Sequence, residues 1–209
     1  MKYKAVLFDV DGTLLDTREF IFQGFDYTFD LHNLPRIDRN ILSQSMGNSL
    51  TLSYQNFFPN TPIEHLVEAH RVFQEHNLHL AVPFEHTLTT LALIKERGIK
   101  LAAVTTRSSR TSIDTLKNTG VYQYLDVVIS GDDVENRKPH PEPVFKALEL
   151  LKIEPHEAVM IGDTDSDILA GKSAGTQTIG VSYGFFGETI RDHGPDYVVT
   201  DIKEVIEFI

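Results

Sequence analysis

The stretch Ala5-Val6-Leu7-Phe8-Asp9-Val10-Asp11-Gly12-Thr13 decides how this chain is read. Its first four residues are an apolar run of the kind found in strands covered on both faces. Asp9 and Asp11 follow at the carboxyl end of that strand, and Gly12 lets the backbone turn sharply behind them. The same short aliphatic runs recur at 101–104, 127–129, 159–161, 178–181 and 197–199. Between the later runs lie segments of helical period. Leu88, Leu91, Ala92 and Ile94 share one face, with Gly98 as a stop signal, and Val144, Leu148 and Leu151 repeat the pattern. From about residue 83 onward this alternation predicts an α/β fold, a Rossmann-like, mainly parallel sheet flanked by helices.

The stretch 16–82 breaks the pattern, because it holds no convincing strand. Ile21, Phe25 and Phe29 recur at helical spacing. Thr61-Pro62-Ile63-Glu64 reads as a capping box with proline at the first helical position, followed by Leu66, His70, Phe73 and Asn77 at helical intervals. Gly47-Asn48-Ser49 reads as a break between two helices. The expected organisation is an α/β core of residues 1–15 and 83–209, with a helical cap at 16–82 inserted after the first strand.

Composition narrows the function classes. The chain has 209 residues, 41% hydrophobic and 23% charged, which suits one globular domain with a sizeable insertion. A net charge of −11 disfavours nucleic acid as a partner. The absence of cysteine excludes disulfides, thiolate-bound zinc, iron–sulfur clusters and thiol nucleophiles. Asp9 and Asp11 interrupt the N-terminal apolar run, leaving it too short for a signal peptide or a membrane span. A cytoplasmic protein without membrane attachment, a monomer or a homodimer, is the expectation.

The strand ends carry the chemistry, since open α/β sheets bind ligands beyond the carboxyl ends of their strands. The first strand delivers Asp9 and Asp11, the second Thr105-Thr106-Arg107. Lys138-Pro139 lies beyond the third, and the fourth leads into Gly162-Asp163-Thr164-Asp165-Ser166-Asp167. Several carboxylates on one rim repel one another unless a cation sits among them, and hard oxygen ligands without cysteine favour magnesium. Magnesium held by carboxylates, with a lysine and hydroxyls nearby, describes a site for a phosphoryl group. The plainer alternative is that these aspartates are helix caps and exposed turn residues, as single aspartates usually are.

At these residues the sequence resembles the haloacid-dehalogenase-like hydrolase superfamily. Asp9-Val10-Asp11-Gly12-Thr13, Thr105, Lys138-Pro139 and Gly162-Asp163-x-x-x-Asp167 look like its four motifs in order and spacing, and the helical insertion sits where a cap belongs. The resemblance spans the whole chain, with the likeness nearest to phosphoglycolate phosphatases. Val104-Thr105-Thr106-Arg107 and Asp132-Asp133-Val134, followed by Lys138-Pro139-His140-Pro141-Glu142-Pro143, are also similar to a related inorganic pyrophosphatase.

The resemblance implies a magnesium-dependent phosphatase for a small phosphorylated metabolite, acting through a phosphoaspartyl intermediate. Asp9 would be the nucleophile, and Asp11 would protonate the leaving oxygen and then activate water. Thr105 would hydrogen-bond the phosphoryl group and Lys138 would offset its charge. Asp9, Asp163 and the backbone carbonyl of Asp11 would bind magnesium, while Asp167 would orient the metal's surroundings. Because Asp11 is an aspartate, carbon–halogen cleavage is not expected. Thr106 and Arg107 stand where many relatives have asparagine and lysine. Arg107 either binds a distal anionic group or occupies a solvated helix start. Asn48 and Ser49 lie in the loop that would face the substrate; that loop holds no arginine, which favours a small polar substrate over a large anionic one. Pro83-Phe84-Glu85-His86 replaces the usual proline–glycine return from the cap.

Other enzymes on this scaffold are a pyrophosphatase, a sugar-phosphate phosphatase and a phosphomutase. The non-enzymatic alternative is a phosphoacceptor signalling module, which also gathers aspartates, a threonine and a lysine at strand ends but is shorter and lacks the helical insertion. His65, His70, His76 and His79 fall on one segment, without the i, i+4 pairing of a helical metal motif, and read as a solvated face. Phe57-Phe58 and Phe185-Phe186 read as core or rim packing.

Overall fold

The computed structural model describes residues 3–209. In chain order, β1 (Ala5–Phe8) is followed by a short β2 (Leu15–Asp16). The helices α1 (Arg18–Leu31), α2 (Arg39–Gln44), α3 (Leu50–Phe57) and α4 (Glu64–His76) come next, and then β3 (Val82–Pro83). Strands and helices then alternate: α5 (Thr87–Glu96), β4 (Lys100–Val104), α6 (Ser109–Asn118), β5 (Val127–Ile129), α7 (Glu142–Leu151), β6 (Ala158–Gly162), α8 (Asp165–Ala174), β7 (Gln177–Val181) and β8 (Tyr197–Val199).

Among the described residues, six strands form one parallel sheet in the order β5-β4-β1-β6-β7-β8. All the apolar runs read from the sequence are in it, displaced by no more than a residue at either end. In β1, Leu7 lies between Ala102 of β4 and Met160 of β6. The chain builds outward from β1 to one edge and returns to build the other half, so the carboxyl ends of β1, β4 and β6 share one crevice. Alternation along β1 divides the core. Val6 and Phe8 pack with Leu91 and Ile94 of α5, while Ala5 and Leu7 pack with Val144 and Leu148 of α7 and Ala170 of α8.

The α1–α4 segment forms a helical cap with its own apolar centre of Phe25, Phe29, Leu42, Tyr54 and Leu66. Each fully buried ring or aliphatic side chain of this kind is worth about 1.5–3 kcal/mol. Gly47-Asn48-Ser49 separates α2 from α3 as expected. Two expectations fail. The capping box at Thr61 does not form: α4 begins at Glu64, with Ile63 in the cap position and no side-chain cap. Ile63 is drawn into the cap's apolar centre, and the chain turns into the helix only there. The solvated histidine face is also wrong for His70, which is fully buried and lies 4.7 Å from the Phe25 ring. Gly24 on α1 makes room, since a Cβ there would come within 2.5 Å of His70 Nε2. His70 Nδ1 instead meets the Tyr54 hydroxyl at 3.0 Å. Phe57 and Phe58 pack against the cap centre as expected.

Both chain crossings between cap and core run through the antiparallel ribbon β2–β3, where Leu15 faces Pro83 and Asp16 faces Val82. Sequence reading missed this ribbon. After it, His86 takes the left-handed conformation (φ 68°) usually left to glycine, and its Nδ1 lies 3.0 Å from Asp201 Oδ2. Away from the ribbon, Arg18 of α1 donates to the Gly184 carbonyl at 3.2 Å, and Arg110 of α6 pairs with Glu68 and Glu75 of α4. No helix among the described residues is long and apolar enough to cross a membrane.

Candidate active site

Asp9 sits immediately beyond β1, its N–H held by the Ile161 carbonyl at 2.8 Å, which places its side chain on the crevice floor. Lys138 reaches the same point. Its Nζ donates to Asp9 Oδ1 at 2.5 Å, to Asp167 Oδ1 at 2.6 Å and to the Val104 carbonyl at 2.6 Å. All of the ammonium protons are thereby engaged. Burial works against the Lys138 charge, but the Asp167 and Asp9 carboxylates outweigh it and hold its pKa above the ordinary lysine value.

Asp163 follows β6 and is fully buried. Its Oδ2 accepts the Phe185 N–H at 2.6 Å and its Oδ1 accepts the Thr13 hydroxyl at 3.4 Å. Gly12 (φ +82°) presses against it: a Cβ there would lie 2.8 Å from Asp163 Cγ and 2.6 Å from the Phe185 ring. Only glycine satisfies both the backbone and the space at this position. Asp167 belongs to the first turn of α8 and completes a capping box, its Oδ2 accepting the Thr164 N–H at 3.1 Å and hydroxyl at 2.8 Å.

Oxygens of Asp9, Asp163 and Asp167 lie within 4.8 Å of one another. Burial pushes the Asp9 carboxyl up to about 7, against the pull of Lys138 and with repulsion from Asp167 and Asp11 added. Burial, then Asp9 and Asp167, raise Asp163 well above the usual carboxylate range. Three buried carboxylates against one ammonium, with no soft ligand in the chain, fit a hard divalent cation, which would favour their ionised forms.

The Asp11 side chain turns away from this cluster: its Oδ1 accepts from Arg107 Nη1 at 3.2 Å. Arg107 is no solvated helix start. It is held by the Thr115 hydroxyl at 3.1 Å and lies over the Phe20 ring at 5.1 Å. Thr105 is buried, its hydroxyl accepting the Arg107 N–H at 3.2 Å, and its own proton has no partner among the described residues. Thr106 lines the cavity above it.

That cavity lies between core and cap and has a volume of about 70 Å³, room for roughly five waters. Asn48 and Ser49 line it, as expected, although the Ser49 hydroxyl also accepts the Leu52 N–H at 3.3 Å to cap α3. Sequence reading missed Arg71 and Gln74 of α4, Ser53 of α3 and Ser166 of α8, which line the same space. The Gly47-Asn48-Ser49 loop brings no arginine to the cavity, as expected, but α4 supplies Arg71, so the preference for a small polar substrate over a large anionic one, which rested on the loop alone, loses its ground. Helical phase was the available signal, because Arg71 and Gln74 are three apart and share a face. Phe185 is more than rim packing, since it lines the cavity and its N–H holds Asp163.

The family model for haloacid dehalogenase-like hydrolases matches residues 6–181. The chain is 38% identical to the pyrophosphatase PpaX of Bacillus pumilus, over 98% of this chain and 95% of that protein. It is 36% identical to the pyrophosphatase PpaX of Halalkalibacterium halodurans, over 100% and 98%. Among solved structures, a predicted phosphoglycolate phosphatase from Haemophilus somnus shares the fold with a TM-score of 0.91 at 22% identity, covering 100% of this chain and 98% of that one. A haloacid dehalogenase-like family hydrolase from Streptococcus pneumoniae does so with a TM-score of 0.89 at 26% identity, covering 99% and 98%.

Proposed function

The chain belongs to the haloacid dehalogenase-like hydrolase family, and from this we propose that it hydrolyses a small, doubly anionic phosphoryl compound, inorganic pyrophosphate ahead of phosphoglycolate. The observation that carries the proposal is the Lys138 ammonium clamped between Asp9 and Asp167 beside buried Asp163. Such a site suits transfer of a phosphoryl group to a strand-end carboxylate. Sequence likeness placed phosphoglycolate first. The pyrophosphatase name carried by relatives at 36–38% identity supports the reverse order. The cavity between core and cap accommodates either compound.

In this reading an Asp9 oxygen attacks phosphorus and the bridging oxygen leaves with the second phosphoryl group. Asp11 gives a proton to that oxygen, then takes one from the water that hydrolyses the aspartyl phosphate. Lys138 stays charged and balances the phosphoryl oxygens, and the free Thr105 proton hydrogen-bonds one of them. Asp9, Asp163 and the Asp11 carbonyl would hold magnesium, with Asp167 fixing the geometry through Lys138 and Thr164. The cation would supply charge neutralisation of the phosphoryl oxygens and of the carboxylate cluster. Thr106, Arg107, Asn48 and Ser49 complete the substrate contacts. A small metabolite as substrate and an acidic chain free of cysteine suit action in the cytoplasm.

The test is release of phosphate from pyrophosphate, phosphoglycolate and a hexose phosphate with magnesium present. The expected order of kcat/KM is pyrophosphate, phosphoglycolate, hexose phosphate, with at least about tenfold between the first and the last. Preference for the hexose phosphate, or no turnover of any of them, would overturn the proposal.

A further inference from the structure

We propose that Arg71, Gln74 and Ser53 form a cap-borne subsite for the second anionic group of the substrate. This rests on the doubly anionic reading above and assigns the part of the site that recognises the group not transferred.

Four cationic side chains line the cavity, and three are committed. Lys138 is bonded to Asp9 and Asp167, Arg107 to Asp11, and Arg137 to the Gly131 carbonyl and Asp132. Arg71 is half-buried and makes no ion pair or side-chain hydrogen bond among the described residues. A guanidinium in that position, facing a cavity and lacking a carboxylate, is set up for an anion from outside.

A second observation is independent of Arg71. Gln74, one turn further along α4, is only 3% exposed, as is Ser53 on α3, and neither side chain has a hydrogen-bond partner among the described residues. Buried polar groups are ordinarily paired. These are not sealed off either, because the buried orphan atoms are Thr17 Oγ1, His70 Nε2, Arg107 Nε and Ser112 Oγ. The polar ends of Gln74 and Ser53 therefore open onto the cavity. An arginine fork, an amide N–H and a hydroxyl can each donate to an anion, and the guanidinium, which carries the charge, has no acceptor to offer a neutral hydroxyl group.

The geometry divides the substrate. The phosphoryl group to be transferred lies on the core, against Lys138. The second phosphoryl group, or the carboxylate of phosphoglycolate, meets Arg71 on the cap. A compound with one anionic end satisfies one wall, whereas a compound with two ties the cap to the core.

The test is titration calorimetry in excess magnesium, with methylenediphosphonate as a doubly anionic, non-hydrolysable probe and inorganic phosphate as the single-anion probe. In Arg71→Ala the Kd for the diphosphonate is expected to rise at least about tenfold, and in Gln74→Ala about threefold. Arg71→Lys, which keeps the charge and loses the fork, should fall between. The Kd for phosphate should shift much less in all three. Should Arg71→Ala fail to fold, Arg71→Lys and Gln74→Ala carry the test. Equal shifts for both probes, or no shift for the diphosphonate, overturn the subsite. Wild-type protein that fails to turn over pyrophosphate and phosphoglycolate, yet binds the diphosphonate in an Arg71-dependent way, would overturn the substrate reading and leave the subsite standing.

Discussion

The two walls of the cavity differ in how they treat their polar groups. On the core wall the charged groups are bonded before any ligand arrives. Lys138 holds three acceptors, Asp163 accepts from Phe185 and Thr13, and Asp167 is closed onto Thr164. On the cap wall, Arg71, Gln74 and Ser53 have no partner among the described residues. A preorganised wall stabilises charge without having to reorganise, which chemistry requires. An unsatisfied wall gains most from a ligand that satisfies it, which recognition requires. The difference matches the proposed division, with reaction on one wall and choice of substrate on the other.

The hardest test of that division is Asp9→Asn, which keeps the shape and removes the proposed nucleophile. Turnover should fall by roughly 10⁴-fold or more for every substrate, with folding intact. A cap substitution with an equal, substrate-independent loss would break the division. Chelation after removal of bound metal should also bring turnover to background, magnesium should restore it, and calcium should support it poorly. Full activity in excess chelator would remove the cation from the account. Next in size is Lys138→Ala, expected to cost ~10²–10³-fold in kcat. A loss below threefold would place Lys138 outside the reaction.

The cap's buried histidine gives a smaller, thermodynamic test. Burial pushes His70 from 6.5 down to about 3, with the charges of Arg107 and Arg71 adding to the effect. The unfolded chain therefore takes up a proton near pH 6.5 that the folded chain refuses until near pH 3. Its contribution to stability is complete above pH 6.5 and is lost as the pH falls through that window, at up to about 1.4 kcal/mol per pH unit. Urea unfolding at pH 6.5 and pH 5 should show wild type losing about 1.5 kcal/mol more than His70→Phe. Parallel losses would mean that His70 is protonated inside the cap. Smallest is Arg110→Ala, which removes the exposed pairs from α6 to Glu68 and Glu75. KM should change by about twofold, and the change should vanish at high salt. A change above tenfold would make this exposed pair a principal clasp of the cap.

The sheet was legible because each parallel strand is a short, fully covered aliphatic run, and the core wall because its carboxylates and Lys138 follow strand ends. The β2–β3 ribbon was not legible, since two residues per strand carry no period. The start of α4 was misread because Thr61 and Pro62 give a strong local signal, while Ile63 answers to the cap's apolar centre. His70 was misread for the same reason: Gly24 and Tyr54, which bury and bond it, are distant in sequence. Arg71 escaped because an arginine beside an apolar helical stripe looks the same in sequence whether it faces solvent or a cavity.

The β2–β3 ribbon also bears on how such a protein diverges. Leu15 and Pro83 are direct neighbours across an antiparallel pair, so the chain leaves the core and re-enters it within about 5 Å. Everything between them is, to the sheet, the tip of a hairpin. Insertions, deletions or a wholesale exchange of that tip need not shift a single strand register. Selection can thus rewrite Arg71 and its neighbours, the residues proposed to choose the substrate, while Asp9 and Lys138 inherit an undisturbed frame. One ancestral catalyst can in this way seed many metabolic niches.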